Sequence, residues 1–158
     1  MTNPAISVLL ADDHRVLRAG LRALIEGEDD IYVIGEAGTG DDAIRLVKDL
    51  QPNVVVMDLG MPGIGGLEAI RNIREQKSKV RIVVLSMHSG RDVVMQAIEA
   101  GSDGYVPKSA AHANLLQAIR TVHAGQRFLD PSAATILVDR LMEKQEESRL
   151  LTVLSDRE

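Results

Sequence analysis

Residues 54–63 constrain the fold of this chain more than any other stretch. They begin with three valines and a methionine, reach a single carboxylate at Asp58, and continue as Leu-Gly-Met-Pro-Gly. A strand that is apolar on both faces is typical of the middle of a parallel sheet. In open α/β sheets, ligands bind at the carboxyl ends of the strands, and Asp58 is the first polar residue at that end. We therefore predict that Asp58 belongs to a functional site rather than to the core.

Similar apolar runs recur along the chain and alternate with helical patterns. Further strands are predicted at residues 6–11, 32–37, 81–85 and 104–106, and a helix with one apolar face follows each strand. Alternation at this spacing favours β-α crossovers and a parallel sheet covered on both faces. We predict an α/β, flavodoxin-like, doubly wound five-stranded parallel sheet with strand order 2-1-3-4-5 and helices on both faces, followed by a C-terminal linker helix.

Composition narrows the class of protein further. A chain of 158 residues that is 45% hydrophobic predicts one domain with a full core and a short tail. The sequence has no Cys, which excludes disulfides and thiolate metal sites. A net charge of −5 weighs against nucleic-acid binding by this stretch of chain. Its apolar runs are far shorter than a membrane span. We predict a cytoplasmic protein with no membrane partner.

Polar side chains follow four of the predicted strands. Asp12 and Asp13 come after the first strand, Asp58 after the third, Ser86 after the fourth and Lys108 after the fifth. Three neighbouring carboxylates repel one another, and a hard divalent cation relieves that repulsion; Mg²⁺ suits such a site because it accepts a few carboxylates and keeps several waters. A hydroxyl and an ammonium allow an anion beside the metal. A phosphoryl group on Asp58 is the natural candidate.

In their order and spacing, these motifs resemble a response-regulator receiver domain of bacterial two-component signalling. The resemblance rests on the acidic pair after the first strand, the turn that follows Asp58, Ser86, and the Gly-Tyr-Val-Pro-Lys sequence that ends at Lys108. It covers roughly residues 5–125, and the set is specific although each motif alone is weak. The resemblance implies that Asp58 is the phosphoacceptor and that a sensor histidine kinase is the donor.

The resemblance also implies a metal-binding role for the residues around Asp58. Asp13, Asp58 and the backbone carbonyl of Gly60 would hold Mg²⁺, with Asp12 nearby or bound through water. In this interpretation Mg²⁺ is the cofactor of the phosphoryl transfer.

A second group of residues would bind the phosphoryl group or respond to it. By resemblance, Lys108 would contact the group, Ser86 would move to bind it, and Tyr105 would turn inward with Ser86. Met87 and His88 would flank the pocket. The switch would reshape the face made by the fourth helix, the fifth strand and the fifth helix.

Two further stretches are similar to the NarL/FixJ class. They are Asp-Asp-His at residues 12–14 with the segment 16–21 after it, and Leu-Ser-Asp-Arg-Glu at residues 154–158. In that class a linker helix joins the receiver to a LuxR-type helix-turn-helix domain. We expect a homodimer when phosphorylated, and DNA binding only through the missing C-terminal domain. The predicted segments are the receiver at 1–126, the linker helix at 127–149, and the start of a truncated LuxR-type domain at 150–158.

Other functions remain open to a chain of this pattern. A Mg²⁺-dependent phosphatase with an aspartyl nucleophile needs a general acid two residues beyond it, and Gly60 cannot serve. In a flavin carrier, Asp12 and Asp13 would repel the phosphate. A receiver fold can also act as an interaction module that needs no phosphorylation. We predict a phosphorylated receiver that catalyses only its own phosphoryl transfer and dephosphorylation, and is therefore not an enzyme.

Individual residues also have structural interpretations. Asp12 and Asp13 could cap the first helix. Tyr105 could be an aromatic on an edge strand. His14 and His88 have no nucleophile partner in the sequence and are interpreted as surface or loop histidines, with His88 able to touch the pocket. The sixth helix is compatible with a linker, a packing element or a dimer element.

Overall fold

The computed structural model describes residues 5–87 and 90–155, and this part of the chain forms six strands and six α-helices. The strands are β1 (Ile6–Ala11), β2 (Ile31–Ala37), β3 (Val54–Asp58), β4 (Arg81–Ser86), β5 (Gly104–Pro107) and β6 (Phe128–Leu129). The helices are α1 (Arg15–Glu26), α2 (Gly40–Leu50), α3 (Gly66–Glu75), α4 (Arg91–Ala100), α5 (Ala111–His123) and α6 (Pro131–Ser155).

The described strands all pair in parallel within one sheet, in the spatial order β2-β1-β3-β4-β5-β6. The predicted order 2-1-3-4-5 is therefore confirmed. The two-residue strand β6 beside β5 was not predicted. A run this short carries no detectable alternation of apolar and polar residues, so the sequence pattern could not indicate it.

β3 lies at the centre of the sheet, as its apolar sequence predicts. Val56 pairs with Leu10 of β1 on one side and with Val83 of β4 on the other. Val55 and Met57 contribute to the hydrophobic cluster on one face of the sheet, whereas Val54 and Val56 contribute to the cluster on the opposite face. The apolar residues end at Asp58, which is the last residue of the strand.

The two faces of the sheet are covered by different helices. Ile25 of α1 and Ile119 of α5 are fully buried in one cluster, whereas Ile70 of α3 and Val94 of α4 are buried in the other. Burying side chains of this size stabilises the fold by about 1.5–3 kcal/mol each. The helices thereby hold the carboxyl ends of the strands in a fixed arrangement.

Local signals account for several helix ends. Thr39 caps α2, because its side chain accepts a hydrogen bond from the Asp42 amide at 3.1 Å. Gly101 ends α4 with φ of +113°, a conformation that favours glycine. In the described part, Gly90 is the N-cap of α4 and offers no side-chain bond.

α6 begins at Pro131 and ends at Ser155, whereas the linker helix was predicted at residues 127–149. It continues through the charged run at residues 143–149, which is exposed and helical, as far as Ser155. Its first turns contact the rest of the protein, because Ala133 is buried and Ile136 packs against the core. Among the described residues, none of the helices is both long enough and apolar enough to cross a membrane.

Two glycine substitutions are expected to change stability in opposite directions. A Cβ at Gly40 would overlap the backbone carbonyl of Ile64, whereas a Cβ at Gly20, exposed within α1, would meet no atom within 4 Å. Gly40→Ala should lower the free energy of unfolding by about 1–3 kcal/mol because the 64–65 backbone must shift. Gly20→Ala should raise it by about 0.5–1 kcal/mol. Urea denaturation measures both, and changes of the same sign would contradict the close approach at Gly40.

Candidate functional site

The carboxyl ends of the strands bring the predicted site residues together. Asp12 and Asp13 follow β1, Asp58 ends β3, and Lys108 follows β5. Ser86 ends β4 and lines the same cavity as Asp58 and Lys108. Asp12, Asp58 and Ser86 are each only 2% exposed, so these polar groups are withdrawn from bulk water.

The Asp58 carboxylate is held by two donors. Its Oδ1 accepts a hydrogen bond from the Gly60 amide at 3.0 Å, and its Oδ2 accepts one from Lys108 Nζ at 2.9 Å. The side chains of Asp58 and Lys108 are 3% and 6% exposed. Because a buried charge is stable only when it is paired, the ammonium compensates for the burial of this carboxylate.

The ammonium of Lys108 is shared with a second carboxylate. Its Nζ lies 3.7 Å from Asp12 Oδ2, besides the shorter contact with Asp58. Asp13 adds a third carboxylate to the group. One ammonium cannot neutralise three carboxylates, and the excess negative charge favours a cation at this position.

Two carboxylate oxygens at the site have no donor within the described structure. They are Asp12 Oδ2 and Asp13 Oδ1, which are both buried without a hydrogen-bond partner. One ligand atom from each of Asp12, Asp13, His14 and Asp58 lies within 4.8 Å of the others. Carboxylate oxygens are the ligands that hard divalent cations prefer. The residues present therefore fit the Mg²⁺ predicted from the sequence.

Neither Asp12 nor Asp13 caps α1. The N-cap of this helix is His14, which makes no capping hydrogen bond through its side chain. Asp12 Oδ1 instead accepts a bond from the His14 amide at 2.8 Å, which fixes the turn between β1 and α1. The capping interpretation is therefore wrong, and both carboxylates belong to the acidic cluster with Asp58.

The site opens into a cavity of about 320 Å³ between the strand ends and α4. Met87 lines this cavity and is 76% exposed. Val93 and Gln96 of α4 also line it. His88, the second residue predicted to flank the pocket, lies outside the described residues.

The Gly60 backbone also meets the cavity. Its amide orients Asp58 through the bond to Oδ1, and the residue lines the pocket. A Cβ at Gly60 would lie 3.7 Å from Asp58 Oδ1, which is an ordinary contact distance. The predicted metal bond from its carbonyl oxygen stays a prediction.

Tyr105 points into the protein and is 1% exposed. The interpretation as an edge-strand aromatic is wrong, because β6 covers the outer side of β5 and Tyr105 pairs with Leu129. A side-chain hydrogen bond joins Tyr105 to Ser86. Burial raises the pKa of the Tyr105 hydroxyl above its ordinary value of 10.0. The hydrogen bond with Ser86 lowers this pKa, and the negative charge of Asp130 raises it further.

The raised pKa of Tyr105 predicts a loss of stability in alkaline solution. The unfolded chain releases the phenolic proton first, so the stabilisation is complete below the ordinary pKa of 10.0 and declines as the pH rises through the higher pKa of the folded state. Tyr105→Phe should cost about 1 kcal/mol at neutral pH through the lost hydrogen bond, and should remove this decline. Urea denaturation between about pH 9 and 11 compares the two proteins. Parallel pH profiles would contradict the assignment.

His14 is the site residue that the sequence interpretation missed. Its side chain is 62% exposed, in agreement with a surface histidine, yet its Nδ1 lies 3.3 Å from Asp12 Oδ1 and 3.4 Å from Asp13 Oδ1. The same atom is 3.3 Å from Lys108 Nζ. Its position directly after the acidic pair was the one available signal.

The site and the fold match a known family. Residues 8–120 match the response regulator receiver domain. The response regulator UvrY of Escherichia coli (strain K12) is 39% identical over 153 residues, which cover 97% of this chain and 70% of UvrY. The response regulator GacA of Pseudomonas aeruginosa is 36% identical over 153 residues, with 97% of this chain and 72% of GacA covered. The chain therefore belongs to the response regulator receiver family of two-component signalling.

Solved structures agree with this membership. A two-component response regulator of the LuxR family from Aurantimonas sp. SI85-9A1 is 41% identical with a TM-score of 0.81, covering 87% of this chain and 99% of that one. The response regulator RcsB of Salmonella typhimurium is 26% identical with a TM-score of 0.78, covering 85% of this chain and 68% of RcsB. The chain is therefore a receiver domain of a response regulator and not a free-standing enzyme.

Proposed function

We propose that Asp58 accepts a phosphoryl group from a sensor histidine kinase in a Mg²⁺-dependent reaction. The observation that carries this proposal is the buried Asp58 carboxylate, bonded to Lys108 Nζ at 2.9 Å beside the unpartnered oxygens of Asp12 and Asp13. An oxygen of Asp58 would attack phosphorus while the bond from phosphorus to the kinase imidazole breaks. The imidazole leaves, and an acyl phosphate forms on Asp58.

The metal would be held by the acidic group around Asp58. Asp13, Asp58 and the Gly60 carbonyl are the proposed ligands, with Asp12 bound directly or through water. When bound, Mg²⁺ supplies positive charge to the transferred phosphoryl oxygens. The donor set of hard oxygens, two of them buried without a partner, supports this assignment.

Lys108 and Ser86 are proposed to bind the phosphoryl oxygens. Lys108 Nζ already contacts the acceptor carboxylate, so its donors lie where the new oxygens would form. Ser86 is bonded to Tyr105, and a phosphoryl group that attracts the Ser86 hydroxyl would compete for that bond. Tyr105 is thereby proposed to respond to phosphorylation.

A contact between α4 and α6 would transmit a conformational change at Ser86 and Tyr105 to the C-terminal helix. α4 begins a few residues after Ser86, and Arg91 in its first turn pairs with Glu143 of α6. This pairing lowers the pKa of the Glu143 carboxyl. A shift of α4 would therefore act directly on α6. Phosphorylation would bias an equilibrium between two such arrangements.

The output is proposed to be transcription control by a homodimer. The receiver would span residues 1–126, and residues 127–149, which contain β6 and most of α6, would form the linker. Residues 150–158 would begin a LuxR-type DNA-binding domain, and DNA would be contacted only through that domain. The similarity to a LuxR-family response regulator supports this interpretation. The proposed transfer from a histidine kinase implies a cytoplasmic location.

Two other functions fit this site less well. A phosphatase of the aspartyl type would need a general acid two residues after Asp58, where Gly60 has no side chain. An interaction module that needs no phosphorylation would not require two buried carboxylate oxygens without a hydrogen-bond donor beside the paired Asp58 carboxylate.

Phosphoryl uptake from a small acyl phosphate tests the proposed function. We expect one phosphoryl group per chain by intact mass, which disappears on metal chelation and in Asp58→Asn. Asp49→Asn is the matched control, because Asp49 is exposed on α2 and should leave uptake unchanged. Light scattering on the same samples should register a dimer only with phosphoryl uptake. Equal uptake by Asp58→Asn and the wild type would contradict the assignment.

A further inference from the structure

Among the described residues, His14 has a potential metal-binding side chain that the proposed function does not use. It occupies the N-cap position of α1, where Ser, Thr, Asp or Asn usually bonds to the helix. Its side chain makes no such bond, and its ring nitrogen lies among three carboxylates instead. The residue is therefore oriented by the site and not by the helix.

The distances from His14 Nδ1 to three carboxylate oxygens match the ligand-to-ligand distances expected around a bound metal ion. The atom is 3.3 Å from Asp12 Oδ1, 3.4 Å from Asp13 Oδ1 and 3.9 Å from Asp58 Oδ2. With metal–ligand distances of about 2.1 Å in an octahedron, adjacent ligands are about 3 Å apart and opposite ligands about 4 Å apart. The three carboxylate contacts of the nitrogen fall within or close to that range.

A second observation points to a ligand at this place. Asp12 Oδ2 and Asp13 Oδ1 are buried without a hydrogen-bond partner, and the Asp12 side chain is only 3% exposed. A buried oxygen without a hydrogen-bond donor is costly even with the Lys108 ammonium 3.7 Å from Asp12 Oδ2, and a cation bound there would remove the cost. Asp13 Oδ1, one of the two orphaned atoms, is also the Asp13 atom nearest to His14 Nδ1.

His14 Nδ1 lies 3.3 Å from Lys108 Nζ and 3.3 Å from Asp12 Oδ1. An ammonium group can only donate hydrogen bonds and a carboxylate can only accept them, so the two contacts are not hydrogen bonds to this nitrogen at the same time. A metal that binds Nδ1 through its lone pair would replace the contact with Lys108.

We infer that His14 Nδ1 is a metal ligand of this site, so that a mixed imidazole–carboxylate set accepts divalent transition metals as well as Mg²⁺. The inference rests on the proposed function, because it uses the same cation position. Imidazole favours transition metals such as Ni²⁺ over Mg²⁺, whereas carboxylates alone suit Mg²⁺ and Mn²⁺. His14 thus broadens the range of metals that can support the proposed phosphoryl transfer.

Pulsed electron paramagnetic resonance of bound Mn²⁺ tests this directly. We expect nuclear modulation from a coordinated imidazole nitrogen in the wild type and none in His14→Asn. Asn is a favoured N-cap residue, so this variant preserves the start of α1. His123→Asn is the matched control: His123 ends α5 at the opposite edge of the sheet and should leave the modulation unchanged.

Calorimetry gives a second readout that does not depend on phosphoryl transfer. We expect the ratio of Ni²⁺ affinity to Mg²⁺ affinity to fall about tenfold or more in His14→Asn. Bound Mn²⁺ without nitrogen modulation, together with an unchanged affinity ratio, would overturn the inference and leave the carboxylate site of the proposed function intact. Failure of the wild type to bind Mg²⁺, Mn²⁺ or Ni²⁺ would overturn both.

Discussion

Lys108→Ala is expected to slow phosphoryl uptake by about 10²–10³-fold while Mg²⁺ binds more tightly. The Lys108 ammonium lies 2.9 Å from the acceptor carboxylate and would stabilise the charge that develops on the phosphoryl oxygens. The same ammonium opposes a cation that binds beside Asp12 and Asp58, so its removal favours the metal. The uptake rate follows from time-resolved intact mass, and the metal affinity follows from calorimetry.

Slower phosphoryl uptake combined with tighter Mg²⁺ binding distinguishes a specific role of Lys108 from a general loss of structure. A variant that merely misfolds would lose both phosphoryl uptake and metal affinity. Lys79→Ala is the matched control, because Lys79 is exposed before β4, at the opposite edge of the sheet from Asp58. An uptake rate in Lys108→Ala within a few-fold of the Lys79→Ala rate would contradict the proposed binding of phosphoryl oxygens by Lys108.

Arg74→Met is expected to lower the free energy of unfolding by about 3–5 kcal/mol. The Arg74 guanidinium donates hydrogen bonds to the carbonyl oxygens of Ser78, Val80 and Gly101 and to Asp103 Oδ2. Burial lowers the pKa of the Arg74 guanidinium below its ordinary value. The nearby Asp103 carboxylate raises this pKa, and the positive charge of Arg81 lowers it further. Met has a similar apolar stem but no donor, so it would leave several carbonyl groups and one carboxylate without this partner.

Arg71→Met provides the comparison for this prediction. Arg71 lies on the same helix, is 45% exposed and pairs with Glu68. Its loss should change stability by no more than about 0.5 kcal/mol, as for other surface pairs. Urea denaturation measures both variants, and similar effects would refute a structural role for the Arg74 network.

The sheet and most of the site could be predicted because their signals lie close together in the sequence. The apolar run that ends at Asp58 indicates a central strand, and that one inference also places the carboxylate at the functional edge. Asp12 and Lys108 follow other strands of the same parallel sheet, so strand order alone brings them to Asp58.

The missed features depend on contacts between distant residues or on side-chain direction. Arg74 is a charged residue near the end of a helix, and nothing in its neighbourhood predicts bonds to Gly101 and Asp103, 27 and 29 residues away. The direction of His14 depends on the turn after β1, which the residue pattern does not specify. The contact of α6 with α4 through Arg91 and Glu143 likewise spans 52 residues.

Chemical localisation of the phosphoryl group tests the central claim most directly. An acyl phosphate is reduced by borohydride, which converts an aspartyl phosphate to homoserine and leaves free carboxylates unchanged. After exposure to a small acyl phosphate with Mg²⁺, reduction and peptide mass spectrometry should find homoserine at position 58 alone. Homoserine at position 12 or 13, or at no position in a chain that has gained phosphate, would contradict the assignment of Asp58 as the phosphoacceptor.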